Sequence, residues 1–155
     1  MKNPLQEEFN ELESYLKLGN ITNLEVSKEG IYWHVDHSYR ILEGVPEMLR
    51  LSKKEDYKPK TSIIKWVIMT FKWIPRGKGV SPKNVVPDEN HLSIEEIKSR
   101  GEEAYARVNS IHELPEWAHF RHPLFGSLKR DETVKFLGIH TNHHLKIMRD
   151  IIKGT

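Results

Sequence analysis

Apolar residues recur at steps of three and four over most of this chain, which is the spacing that places side chains on one face of a helix. Ser27, Ser93 and Asp131 are predicted N-caps, and glycines mark where several of these stretches end. Strict alternation of apolar and polar residues, the pattern of a strand, is almost absent. The predicted helices are approximately Pro4–Leu18, Ser27–Leu51, Thr61–Ile74, Ser93–Val108 and Asp131–Lys153.

This pattern predicts an all-α protein: a four-helix bundle with an extra short helix, folded as a single domain over residues 1–155. Two segments lack a helical period. Pro75–Asn90 contains three prolines and two glycines, and we expect a loop too long to serve only as a connector. Ile111–Leu128 is also predicted to be irregular. The Thr61–Ile74 helix is apolar nearly all round, which is typical of a central helix or of one that meets a partner subunit.

The composition changes this picture little. The chain is 37% hydrophobic and 30% charged with a formal charge of +2, which favours a globular protein and disfavours a nucleic-acid partner. Ile63–Ile74, the most apolar run, contains two lysines and is too short to span a membrane. The absence of cysteine suits a reducing compartment. We therefore expect a soluble cytoplasmic protein with no membrane or nucleic-acid partner.

Nine histidines are the unusual feature of the composition. His144 lies within the apolar stripe of the last helix, His140 lies one turn earlier on nearly the same face, and His34 has a core position in the second helix. An unpartnered imidazole in a core costs roughly 1–3 kcal/mol, and a shared metal ion would remove that cost. These residues therefore predict a divalent-metal site formed by His34, His140 and His144, with one position open for water or substrate.

Alternatives remain at several neighbouring positions. His37 competes with His34 for the third ligand position; otherwise it lines the pocket or supports a ligand. His122 is either a pocket-lining acid–base group or a cap that bonds a backbone carbonyl. Ser38 could be a pocket residue or simply leave room beside the ion, and Asp36 could be a solvated helix residue. The catalytic residues are thus undetermined, with His37, His122 and Ser38 as pocket candidates.

Three segments resemble the DinB/YfiT-like superfamily of metal-binding helical bundles. VSKEGIYWHVDHS is similar to its second-helix motif, in which a serine precedes a metal-binding histidine by seven residues, here Ser27 and His34. HPLFGSLKRDETVKFLGIHTNHHLKIM resembles the end of an uncharacterised branch that has a terminal H-x-x-H-H pattern. The loop PRGKGVSPKNVVP is similar to that branch as well.

The resemblance implies a histidine triad of His34, His140 and His144 that binds zinc or nickel. It also implies thiol S-transfer with a low-molecular-weight thiol as cosubstrate, acting on a small-molecule substrate. Hydrolysis of a small molecule is the enzymatic alternative, and a metal-stabilised binding or stress-response module is the non-catalytic one. A homodimer formed through the Ile63–Ile74 helix is a further expectation.

Overall fold

The computed structural model describes residues 2–77, 83–88 and 92–154, and within them the protein is mainly helical, as predicted. Two short antiparallel strands form the remaining regular structure. Single turns of 3-10 helix occur at Lys54–Asp56, Lys83–Val85 and Ile111–Glu113. The helices are α1 (Gln6–Leu16), α2 (Ile31–Leu51), α3 (Ile63–Phe71), α4 (Ile94–Ser110) and α5 (Arg130–Lys153), and the strands are β1 (His119–His122) and β2 (Gly126–Lys129).

Helices α1, α2, α4 and α5 pack against one another and enclose one core, with α2 in contact with the other three. The apolar residues that the sequence assigns to inward faces are buried there, among them Leu12, Leu42, Leu137 and Met148, each with no exposed surface. Burial of such side chains is worth roughly 1.5–3 kcal/mol each. The core therefore fixes the faces that α2 and α5 turn toward each other.

The helix boundaries differ from prediction where backbone groups found other partners. Helix α2 begins at Ile31 with Gly30 as its N-cap, because the Ser27 hydroxyl accepts from the Glu29 amide instead of capping the helix. Helix α5 begins after Lys129, whose amide donates to the Glu132 carboxylate, so the predicted cap at Asp131 is wrong. The Ser93 cap is confirmed, since its hydroxyl accepts from the Glu96 amide.

The β1–β2 hairpin corrects the prediction that Ile111–Leu128 is irregular. His119 pairs with Lys129, and the register runs to His122 opposite Gly126. Gly126 has a φ of +71°, and a Cβ there would lie 2.6 Å from the Lys60 side chain, so glycine is required at this turn. Strands of four residues are too short for alternation to be recognised in the sequence. Residues 78–82 and 89–90 of the predicted Pro75–Asn90 loop lie outside the described residues.

Helix α3 is peripheral, which rules out the central position, one of the two alternatives predicted for it. Only Ile68 of its nine residues is buried, and its main helical neighbour is α5. Lys65 joins it to the bundle through an ion pair with Glu132 at 2.7 Å.

Asp36 is buried between α2 and α4, so its interpretation as a solvated residue is wrong. Its carboxylate accepts from Arg40 Nε at 2.7 Å and from Arg100 Nε at 2.9 Å. A buried carboxylate is stable when two charge-assisted hydrogen bonds replace water. This contact joins the helix that carries two of the histidines to α4.

Replacing Asp36 by alanine is expected to lower the free energy of unfolding by about 2 kcal/mol. Removing one partner of a buried pair leaves the other charges uncompensated, and the partial exposure of both arginines limits the loss. Urea denaturation measures it. Asp131→Ala, which removes a mostly exposed partner of Arg130, is the matched control and should cost about 0.5 kcal/mol or less. Equal losses in the two variants would contradict a structural role for the Asp36 contact.

Candidate metal centre

Helices α2 and α5 bring four histidines together. His34 and His37 are one turn apart on α2, and His140 and His144 are one turn apart on α5, so each pair shares a helix face. The ring centroids of His144 lie 4.8 Å from those of both His37 and His140. One ligand atom from each of His37, His140 and His144 lies within 4.8 Å of the other two, so this group could hold a metal ion.

The size of this group suits a first-row ion after a small adjustment. Zinc lies about 2.0–2.1 Å from imidazole nitrogens, which places two bound nitrogens about 3–4 Å apart. Ring rotations that move the nitrogens by about 1 Å close the difference. His37 is 1% and His144 7% exposed, and His140 is the most exposed of the three. An ion here would be largely shielded from solvent.

The long loop before α4 fixes the proton on His37. Nδ1 of His37 lies 2.7 Å from the carbonyl oxygen of Val85, which can only accept, so Nδ1 carries the hydrogen. The lone pair of the neutral ring is therefore on Nε2. A ligand histidine whose other nitrogen is bound to a backbone carbonyl is a standard feature of protein metal sites. The Trp33 indole stacks on the same ring at a centroid distance of 4.9 Å and restrains its rotation.

His140 has a buried ring nitrogen without a hydrogen-bond partner among the described residues. Its Nδ1 is buried and has no hydrogen-bond partner within the part of the chain that the structure describes. Leaving such an atom unsatisfied costs about 1–3 kcal/mol. A metal ion would satisfy it, and the donor set of imidazole nitrogens suits such an ion chemically.

His34 contacts the group from one side. Its Nδ1 lies 3.0 Å from Nδ1 of His144, and its Nε2 lies 3.0 Å from the Ser27 hydroxyl. One tautomer pair leaves His144 able to bind a metal: His144 donates from Nδ1 to His34, His34 donates from Nε2 to Ser27, and Nε2 of His144 keeps its lone pair. In this arrangement His34 orients His144. From the sequence we predicted His34 as the third ligand. The three ligand atoms that lie close enough together to share an ion belong instead to His37, His140 and His144.

Burial keeps these imidazoles uncharged. It lowers the pKa of His34 to about 4 and holds the pKa values of His140 and His144 well below the usual range. The pKa of His37 is lowered by the same cause. For His34, His140 and His144 the neighbouring histidines lower the pKa further, because a second positive charge would be repelled. At neutral pH the cluster therefore offers lone pairs.

Two predicted pocket residues have structural partners. The Ser38 hydroxyl donates to the His34 carbonyl of its own helix at 2.7 Å and is fully buried. His122 accepts the amides of Leu124 and Phe125 at Nδ1, at 3.1 and 3.3 Å, and so caps the hairpin turn. This corrects the carbonyl-bonding cap proposed from the sequence, because the ring accepts instead of donating. Nothing in the sequence pointed to the Val85 carbonyl, since a backbone acceptor leaves no residue-type signal.

Acidification is expected to weaken the hairpin through His122. Burial lowers the pKa of His122 to about 4, whereas histidine in an unfolded chain titrates near 6.5. Between these two pKa values the unfolded state binds more protons than the folded state. The neutral His122 ring therefore contributes its full stabilisation of the folded state above about pH 6.5, and this contribution is lost as pH falls toward 4. Asparagine offers an acceptor that does not titrate. His122→Asn should therefore reduce the loss of unfolding free energy on acidification by on the order of 1 kcal/mol, since solvent partly screens the ring.

Urea denaturation at several pH values across this window measures the effect. His112→Asn, at a more exposed histidine, is the control and should leave the slope unchanged. A slope for His122→Asn equal to that of the unsubstituted protein would contradict the assigned role.

No protein-family model matches this chain, and no curated protein and no solved structure shows a significant similarity to it. The resemblance to DinB/YfiT-like proteins therefore remains a prediction from the motifs. No helix among the described residues is both long and apolar enough to cross a membrane.

Proposed function

We propose that this protein binds a divalent transition metal through His37, His140 and His144 and uses it in a thiol S-transfer reaction. The observation that carries the metal site is the convergence of three uncharged imidazoles, two buried and one partly buried, the last of which has a buried and unsatisfied Nδ1. Imidazole suits zinc, nickel, copper and iron alike. The motif resemblance favours zinc or nickel among them.

Three protein ligands are typical of catalytic sites, which keep a coordination position for water or substrate, whereas structural zinc sites have four. His34 does not supply a fourth ligand in the tautomer described above, because both of its nitrogens have partners. An ion in such a site would lower the pKa of a bound water or thiol and so provide a nucleophile near neutral pH.

The chain's own residues prepare this site in three ways. The Val85 carbonyl sets the tautomer of His37, and the Trp33 ring covers one of its faces. The Ser27–His34 pair holds His144 by its Nδ1. Burial keeps protons from competing with the metal for the imidazole nitrogens.

Thiol transfer is proposed on the resemblance of the second-helix and last-helix motifs to those of the DinB/YfiT-like proteins. The chain contains no cysteine, so a reacting thiol would come from a small molecule. A hydrolase would use the same site with water as the nucleophile.

A non-catalytic, metal-stabilised module is the second candidate, and a specific observation favours it. Two cavities on the surface of the described residues are lined by other side chains, one around Asp36 and Arg100 and one around Ser52 and Arg121. Neither of these two includes a histidine of the cluster. A metal held without an adjoining cavity would stabilise the fold by binding only the native state.

Elemental analysis of untagged protein tests the metal site. We expect about one equivalent of metal in the unsubstituted protein and its loss in His37→Ala, His140→Ala and His144→Ala. His34→Ala should keep the stoichiometry but weaken affinity by about 10–100-fold, as loss of an orienting partner does.

His143→Ala is the matched control, because His143 adjoins His144 in sequence but lies outside the group of three. It should retain the metal. If His34→Ala loses the metal while His37→Ala keeps it, the third ligand is His34, as the sequence first suggested. Folded protein that takes up no metal, even on reloading, would remove the proposal.

Titration of a small thiol into the cobalt-loaded protein separates the two candidate functions. A thiol that reaches the ion should produce a thiolate-to-metal charge-transfer band, and His144→Ala should not show it. A loaded protein with an unchanged spectrum at saturating thiol would count against S-transfer and favour the non-catalytic module.

A further inference from the structure

Helix α3 and Trp73, which lies two residues after its end, present large apolar side chains to solvent. Exposed fractions are 81% for Ile63, 55% for Ile64, 62% for Trp66, 65% for Phe71 and 56% for Trp73. Aromatic side chains of this kind carry roughly 150–250 Å² each. With the two isoleucines included, the exposed apolar surface is on the order of 500–700 Å², at or above the size of the largest apolar patch on a typical monomer. We refer to these five residues as the α3 face.

The orientation of α3 is the reverse of that expected for a surface helix. Lys65 points toward the bundle and pairs with Glu132 at 2.7 Å, and Ile68 is the buried apolar residue beside it. Surface helices ordinarily turn their apolar stripe inward and their charges outward. Here an ion pair holds the helix on α5 while the more apolar side faces away. An apolar environment outside the bundle would stabilise this arrangement, because it would remove these side chains from water.

The positive charge of the residues around the α3 face indicates that its partner is anionic. Residues 57–87 include seven lysines or arginines and no aspartate or glutamate, although the whole chain has a formal charge of only +2. Two of the seven, Lys65 and Arg76, pair with carboxylates of α5. Lys58, Lys60 and Lys72 are exposed on either side of α3. An apolar helix face with tryptophan and phenylalanine, flanked by lysines, is the composition of helices that lie in the interface of anionic membranes.

A second copy of the chain fits less well. A two-fold dimer through this face would bring the same cationic segment against itself, because each subunit presents the same patch. We therefore infer that the α3 face docks on an anionic lipid surface, with the apolar side chains entering the interface and the flanking lysines meeting the headgroups.

Lys72 gives this inference a position that can be tested without damage to the fold. It ends α3 in the left-handed region with a φ of +51°, where glycine is favoured over residues that have a Cβ. Lys72→Gly should therefore keep or raise thermal stability while removing a cation from the edge of the face. A purely structural residue would not show this combination.

The expectation of no membrane partner rests on the lack of a segment that could span a bilayer. A helix that lies in the interface needs no such span, so that exclusion does not apply to α3. The metal site plays no part in the inference, and the two can fail separately.

Co-sedimentation with lipid vesicles tests the inference on the intact chain. We expect binding to vesicles of phosphatidylcholine mixed with phosphatidylglycerol, weak or absent binding to phosphatidylcholine alone, and a decrease with added salt. Trp66→Ser and Phe71→Ser should each weaken partitioning by roughly tenfold, and Lys72→Gly by about fivefold. Trp117→Ser and Lys98→Gln, at exposed positions outside the segment, are matched controls and should change little.

Sedimentation equilibrium without lipid completes the experiment. A stable dimer that Trp66→Ser or Phe71→Ser dissociates, with no binding to anionic vesicles, would assign the face to a second copy and overturn the inference. Failure of the unsubstituted protein to bind anionic vesicles would also overturn it, as would binding that all these substitutions leave intact.

Discussion

The contact between α2 and α5 places four imidazoles where uncharged groups are required. His37 and His144 are almost fully buried, and the pKa values of all four rings are lowered mainly by burial. Unpartnered imidazoles at these positions would oppose folding, so each needs a hydrogen bond or a ligand. The observed partners and the unsatisfied Nδ1 of His140 together describe a site that could hold a metal ion.

The elements outside the bundle serve this contact. The loop that leads to α4 brings the Val85 carbonyl to His37, and the turn before α2 brings Ser27 to His34. Neither contact strengthens the core. Both restrict which nitrogen carries a proton, and that restriction is what distinguishes a metal ligand from an imidazole that only fills space.

The sequence predicted the parts of this protein that depend on helical periodicity. The five helices and the positions of His140 and His144 follow from spacing alone, because a residue three or four positions away shares a face. The choice between His34 and His37 could not be made in this way, since both face α5 and the difference lies in a hydrogen bond to a distant carbonyl. The β1–β2 hairpin was missed because its strands are short, and the position of α3 was missed because apolar composition does not specify which side turns inward.

The reversed orientation of α3 and the cluster between α2 and α5 share a physical logic. The apolar side chains of α3 are exposed to water, and the polar imidazole rings of the cluster are buried in the core. Each set of side chains is thus in an environment that is unfavourable for it. Each is stabilised once a partner of suitable chemistry is supplied. Both functions proposed for this chain are therefore assigned to places where local preference and tertiary position disagree.

X-ray absorption spectroscopy at the metal edge of the loaded protein tests the central claim most directly, because multiple scattering from imidazole rings counts histidine ligands. We expect a nitrogen or oxygen shell with three imidazoles, unchanged in number in His34→Ala and reduced in His37→Ala. A fourth imidazole that disappears in His34→Ala, or a shell without imidazole, would contradict it.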